Sequence, residues 1–403
     1  MVHELRHQPA KGIYLAYELV STLFFRLPFW AIVSIPKSLR SRRSKSWTWK
    51  REMWVRILRR GGLVTERCDQ LSTFGDHLTV TKGADIKHVW VQPTPELITD
   101  EVKGWMTAAR VDAASIPGYW MEKKGMDIGI GAPPKPGEKV VYSMHGGGYA
   151  YFSASPKDVT ANILHGLLEH CDTVQRTFAI EYRLSKAHPD PPAHGFPAAL
   201  LDALAGYVYL TNVVGFAPAD IVMEGDSAGG GLALALTRYL VENAGMAGLP
   251  APPGALLLLS PWVDLTRSDV RPGTSKYTNE CTDYIGGPEH AGTEYARGAL
   301  FGALGPEAAL IRFVSPASVD ERFPALSYKG FPRTFVVAGE AEILLTQIKV
   351  LAERMMGDMG EGEADGQVTY YESPDSMHDY LILLFHEPER TQTLKAIAKW
   401  LHE

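Results

Sequence analysis

At 403 residues, 45% of them hydrophobic, the chain is long enough to bury a large core and too apolar to remain disordered. A formal net charge of −6 spread over that length gives no overall attraction to nucleic acid. Cys68, Cys171 and Cys281 are far apart, odd in number and form no CxxC or Cys/His cluster, which excludes a disulfide framework and a structural zinc site.

The first predicted element is apolar. Residues 12–35, GIYLAYELVSTLFFRLPFWAIVSI, are long enough to cross a bilayer but contain Glu18, Arg26 and Pro28. Glu18, Thr22 and Arg26 recur at i, i+4 and i+8, so a helix here carries one polar stripe on an otherwise apolar surface, as an amphipathic helix does. The segment that follows, KSLRSRRSKSWTWKREMWVRILRR, is basic and rich in Trp, a composition suited to the headgroup zone of an anionic membrane. Two expectations follow: a cap whose apolar side covers a pocket of the same chain, which is preferred, and peripheral membrane contact through residues 12–60. No small-residue cleavage site follows the apolar run and no N-x-S/T sequon occurs, so an intracellular protein, cytoplasmic or on an internal membrane, is expected rather than a secreted one.

After a linker-like stretch, IGIGAPPKPGE at 128–138, short β-branched runs alternate with helical stretches. Strands are predicted at 139–144, 173–180, 220–224, 254–260, 333–339 and 367–373, with helices between them in SPKDVTANILHGLLEH, FPAALLDALAGYVYL, GGLALALTRYLVENA and TQIKVLAERMMGDMG. Continuously apolar strands such as GALLLLS are buried on both faces. The pattern predicts an α/β fold with a mostly parallel central sheet flanked by helices. Residues 1–105 read as an N-terminal helical unit with the first core strands near its end. Residues 106–403 read as the catalytic domain, interrupted by an insertion at about 267–310.

Three stretches carry chemistry. MHGGGYA, at 144–150, follows a strand, and consecutive glycines let main-chain N–H groups turn inward on a ligand. Gly146 and Gly147, with the N–H of Ala228, are the candidate oxyanion donors, while His145 reads as structural. EGDSAGGG, at 224–231, sets Ser227 at a strand-to-helix corner between Gly225 and Gly229, the arrangement in which a serine is lifted above a sheet with a helix N-terminus behind it. Such a serine needs a base and the base an orienting carboxylate, in the order Ser, acid, His. Beyond the last predicted strand, His378 starts an apolar run read as helical, with His386 its competitor. For the acid, AGEAEIL offers Glu340 and Glu342 and the next loop Asp365, while Asp375 and Asp379 lie too close along the chain to His378 to come from another strand end; the local setting prefers Glu342, at the start of a helix.

The combination HGGGYA, YRLSKAHPDPPAHGFPAALLDAL, GDSAGGGLAL, LSPWVDLT and MHDY resembles the hormone-sensitive lipase family of α/β-hydrolases, from about residue 138 to the C-terminus. The resemblance implies the α/β-hydrolase fold with a helical cap built from the N-terminal helices and the insertion at 267–310. It also implies an acid at G-x-x-D-x-L after the seventh strand, which Gly339, Glu342 and Leu344 match with Glu for the commoner Asp. Arg183 and Asp264 are then loop anchors, and Asp226 organises the elbow or a nearby loop. Tyr149, Asp226 and Trp262 are candidate substrate-binding residues. The expected activity is hydrolysis of carboxylic esters of hydrophobic substrates through Ser227, His378 and Glu342 with an acyl-enzyme. The alternative is the same residues acting as an amidase or deacetylase, lactonase or acyltransferase. No metal or cofactor is called for; the expected partner is a small ester, not nucleic acid, and the oligomeric state is left open, a homodimer being one option.

Overall fold

A computed structural model describes residues 2–42, 44, 46–69, 76–83, 85–287 and 290–402. The stretch from residue 10 is one helix, α1 (Ala10–Val33), with a π-helical turn at Thr22–Arg26, where the helix widens before Pro28. α2 (Trp49–Cys68) begins at Thr48, whose side chain accepts from the Arg51 N–H. Arg43 and Lys45, in the basic segment between the two helices, lie outside the described residues.

The sheet has eight strands: β1 (Lys87–Val91), β2 (Ile116–Glu122), β3 (Lys139–Met144), β4 (Val174–Ile180), β5 (Ile221–Asp226), β6 (Ala255–Leu259), β7 (Arg333–Gly339) and β8 (Val368–Ser373). They lie in the order β1-β2-β4-β3-β5-β6-β7-β8. β1, β2 and β4 pair antiparallel, and every other neighbour is parallel. In chain order the longer helices that follow are α3 (Asp100–Ala109), α4 (Ala161–His170), α5 (Ala198–Val208), α6 (Ala228–Glu242), α7 (Ala291–Phe301), α8 (Leu345–Met359) and α9 (Glu389–His402).

Alternation along the strands builds two cores. Val140, Tyr142, Met223, Leu256 and Leu258 face the layer that contains α5, α6 and α8, while Val141, Val222, Leu257 and Leu259 face the layer of α4 and α9. The six strands expected from residue 139 onward coincide with β3 to β8 within two residues at each end.

Three expectations need correction. The boundary at 105 cuts through α3, whose first turn carries Asp100 and Glu101 as a helix start should, so the antiparallel edge of the sheet straddles that boundary. The apolar side of α1 does not cover a pocket of this chain: only 6% of its most apolar window is buried, and the side that packs inward is the polar stripe. The run after His378 is not a helix, because Asp379 takes a left-handed conformation (φ 45°) and only Tyr380–Ile382 forms a single tight turn before α9.

Candidate active site

The corner at Ser227 joins β5 to α6. Ser227 has φ 51° and ψ −118°, a strained conformation for a residue with a side chain, held because its N–H donates to the Leu259 carbonyl (2.9 Å) and its carbonyl accepts from the Trp262 N–H (2.8 Å). The small neighbours are required by space. A Cβ on Gly225 would lie 2.2 Å from the Gly229 carbonyl oxygen, and one on Gly229 would lie 1.9 Å from that of Met144.

His378 reaches this corner from the loop after β8. Its Nε2 lies 2.9 Å from Ser227 Oγ and its Nδ1 lies 3.0 Å from Glu342 Oε2; a carboxylate only accepts, so Nδ1 carries the proton. The other oxygen, Glu342 Oε1, accepts from the Gly339 N–H at 2.9 Å. All three side chains are buried. Glu340 does not reach the imidazole: it pairs with Arg42 (2.8 Å) and accepts from the Asp375 N–H (3.0 Å). Glu342 stands in the turn between β7 and α8, three residues ahead of the helix. His386 is buried beside Glu389 (3.4 Å), on the far side of the following loop.

A second carboxylate touches the same imidazole. Asp379 Oδ2 lies 3.0 Å from His378 Nε2, the nitrogen that also faces Ser227. Burial pulls the imidazole down, but the charge and hydrogen bond of Asp379, then those of Glu342, outweigh it and hold His378 well above the ordinary histidine range. Behind the elbow lie two more buried carboxyls. Burial pushes Glu224 up to about 8, and burial with the charges of Asp379 and Glu224 pushes Asp226 well above the usual range.

The loop expected to hold the oxyanion donors follows β3. Gly146 was expected among its donors, yet its N–H donates to Asp226 Oδ1 at 2.9 Å and is not available to a ligand. Asp226, expected also as a substrate-binding residue, is instead buried behind the loop as its anchor. Gly147 and Gly148 both have positive φ (105° and 63°), and among the described residues their N–H groups have no partner. The N–H of Ala228, first residue of α6, has no acceptor within the helix. These three groups are the donors left free beside Ser227. His145 stacks on Tyr182 (4.3 Å between centroids), and burial lowers it to about 4, so the ring is neutral and structural.

The expected pocket residues are placed differently from one another. Trp262 lies against Gly148 at the elbow, together with Ala296 of α7. Tyr149 is buried and lines a small apolar cavity with Phe196, Leu232, Leu300 and Phe313. Arg183 forms a bidentate pair with Asp202, and Asp264 caps its own loop by accepting from Thr266 and Ser268.

The insertion at 267–310 supplies residues that sequence reasoning did not single out. Asp283 accepts from the Ile343 N–H (2.7 Å) and the His378 N–H (3.3 Å), and Asn279 Nδ2 donates to the Glu342 carbonyl (2.9 Å). They hold the acid loop and the histidine loop in register. Nothing in CTDYIGG marks Asp283 as such, because its partners lie 60 and 95 residues away.

Residues 140–382 match a family model described as the alpha/beta hydrolase fold. The chain is 26% identical over 274 residues to "Esterase LipU" of Mycobacterium tuberculosis, covering 66% of this chain and 78% of that protein. It is 28% identical over 251 residues to an "Acetyl-hydrolase" of Streptomyces hygroscopicus, covering 61% and 69%. Among solved structures, a hormone-sensitive lipase from a metagenome library superposes with a TM-score of 0.53 at 27% identity, covering 71% of this chain and 81% of that one. The structure of EstE5 shares the fold with a TM-score of 0.58 at 22% identity, over 88% and 97%.

Proposed function

We propose, from the premise that the chain belongs to the α/β-hydrolase family in its hormone-sensitive lipase branch and is a carboxylic ester hydrolase, that Ser227, His378 and Glu342 carry the reaction through an acyl-enzyme. The observation that carries this reading is the continuous chain of two hydrogen bonds, Ser227 Oγ to His378 Nε2 at 2.9 Å and His378 Nδ1 to Glu342 Oε2 at 3.0 Å. Ser227 Oγ attacks the acyl carbonyl as its proton passes to His378 Nε2. Glu342 keeps the proton on Nδ1 and stabilises the imidazolium. The carbonyl oxygen becomes an oxyanion facing the N–H groups of Gly147, Gly148 and Ala228 at the N-terminus of α6. Collapse expels the alcohol, which takes the proton from Nε2. Water, deprotonated by the same nitrogen, then releases the acid and restores Ser227.

The substrate is a hydrophobic ester. The indole of Trp262 beside Gly148 supports an apolar group next to the reacting carbon. The test is the kcat/KM of nitrophenyl esters of graded acyl length, alongside the anilide of the preferred acyl group. We expect esters of apolar acyl groups to be hydrolysed faster than the acetate, and the anilide much more slowly. Faster turnover of the anilide would replace this reading with an amidase, and an optimum at acetate would contradict the apolar acyl group.

A further inference from the structure

α1 is 24 residues long, and its outward face is apolar along its whole length. Ile13, Leu23, Phe24, Phe25, Phe29 and Ile32 are each half exposed or more, Phe24 and Phe25 to 70%. An unbroken exposed apolar stripe on a helix marks a surface that something covers. The polar stripe faces the other way, into the protein: Glu18 is buried and accepts from Arg60 Nε (2.8 Å) on α2 and from Arg26 (3.0 Å) on α1 itself.

The identity of the cover follows from how α2 is placed. It runs antiparallel to α1 over the full length, tied by Glu18 to Arg60, by the Trp49 indole N–H to the Ala31 carbonyl (3.0 Å) and by the His3 N–H to the Glu66 carbonyl (2.7 Å). Its other side is fastened to the catalytic body through the Arg51–Glu389 pair (2.6 Å) and through Arg59, which donates to the carbonyls of Glu280 and Asp283. At ~1.5 Å per residue α1 could cross a hydrocarbon layer of ~30 Å. Doing so would draw Arg56, Arg59 and Arg60 of α2 into the lipid, or strip α2 away and leave Glu18 and Arg26 there without it. Lying flat on the lipid, α1 buries its aromatic and aliphatic face with every one of these pairs intact.

The charge at the rim selects the kind of lipid. Several basic residues of the 37–60 segment are already used inside the protein, Arg42 by Glu340 and Asp375, Arg51 by Glu389 and Arg56 by Glu52. Lys37 and Lys50 are exposed and, among the described residues, have no ion pair; half-exposed Trp49 stands beside Lys50, bonded to the C-terminal turn of α1. A cationic and indole rim next to an apolar face matches the boundary between acyl chains and anionic headgroups. A second copy of the chain would present the same cationic rim to this one.

We infer that the protein docks in the plane of an anionic lipid surface, with the apolar face of α1 inserted at the interface and α2 between the lipid and the catalytic body. The inference is independent of which residues carry the hydrolysis. It is tested with the full chain in flotation against vesicles of phosphatidylcholine alone and of phosphatidylcholine with phosphatidylserine. The wild type should float with the anionic vesicles and bind the neutral ones about thirtyfold more weakly, the effect of two lysines near the surface at about 1 kcal/mol each. Phe24→Asp/Phe29→Asp should remain in the dense fraction while keeping wild-type thermal unfolding and wild-type turnover of a soluble ester. Lys37→Glu/Lys50→Glu should lose only the preference for anionic vesicles. Three results would overturn the inference: no flotation of the wild type; a wild-type dimer in sedimentation that Phe24→Asp/Phe29→Asp converts to monomer; or retention of the chain in cell membranes washed with alkaline carbonate, as a spanning helix would be retained.

Discussion

Replacing Asp379 by Asn should move the acid limb of the pH–activity profile to lower pH. The structure puts Asp379 Oδ2 3.0 Å from His378 Nε2, so the carboxylate favours the imidazolium, the form that cannot accept the Ser227 proton. With charge centres about 4 Å apart and an effective dielectric of about 20, the attraction is on the order of 4 kcal/mol, large enough to show in the pH profile. Asn retains a carbonyl oxygen that can accept from Nε2–H, and Glu342 still accepts from Nδ1, so part of the elevation remains. The sign is fixed by the role of the base: its activity is lost as pH falls through its pKa, and lowering that pKa extends activity into acid. The wild type should therefore have its acid limb above the ordinary histidine value of about 6.5. The assay is kcat/KM for a soluble short-chain ester followed by pH-stat titration at constant ionic strength, with thermal unfolding as the check on folding. An acid limb that stays within ~0.3 unit of wild type, or moves upward, would refute the reasoning.

Other substitutions probe the rest of the site. Glu342→Gln should lower kcat by about 10⁴ by disturbing the tautomer that places Nε2 as acceptor, while Glu340→Gln, whose parent side chain pairs with Arg42, should stay within about threefold of wild type in the same ester assay. Glu224, buried and raised to about 8, keeps its proton in the folded state while the unfolded chain releases it near 4.5. Its contribution is complete below about 4.5 and is lost as pH rises towards 8, at most roughly 5 kcal/mol; Glu224→Gln should flatten that decline in urea unfolding between pH 5 and 8, and an unchanged slope would count against the buried carboxyl. Gly229→Ala forces a Cβ to 1.9 Å from the Met144 carbonyl oxygen and should cost about 3 kcal/mol or more, whereas Gly357→Ala, in α8 with nothing within 4 Å, should stabilise by roughly 0.5–1 kcal/mol; urea midpoints of the two variants should move in opposite directions.

What the sequence made legible has a physical pattern. β3, β5, β6 and β7 are buried on both faces almost throughout, and largely apolar runs such as ALLLL announce themselves whatever surrounds them, while β4 and β8 show through their β-branched and aromatic residues. β1 and β2, KHVWV and IPGYWME, did not stand out, because an antiparallel edge tolerates charge, Pro and Gly and depends on its partner for pairing. At the site, the spacing of Ser227, Glu342 and His378 could be read from chain order and glycine chemistry. The occupant of the Gly146 N–H could not, since Asp226 lies 80 residues away and only the folded chain brings them together. Asp379 was set aside as too close to His378 along the chain, yet its left-handed backbone turns the carboxylate back onto the ring. The polar stripe of α1 was visible at residues 18, 22 and 26, but which side faces the protein was decided by Arg60, beyond any periodicity within the helix itself.

The central claim is that Ser227 is the nucleophile, activated by His378. Its most direct test is the mass of tryptic peptides after treatment with a fluorophosphonate. The account predicts a single stoichiometric adduct on Ser227 of the wild type, and neither adduct nor ester hydrolysis in Ser227→Ala. An adduct on another serine, or hydrolysis that survives in Ser227→Ala, would contradict it.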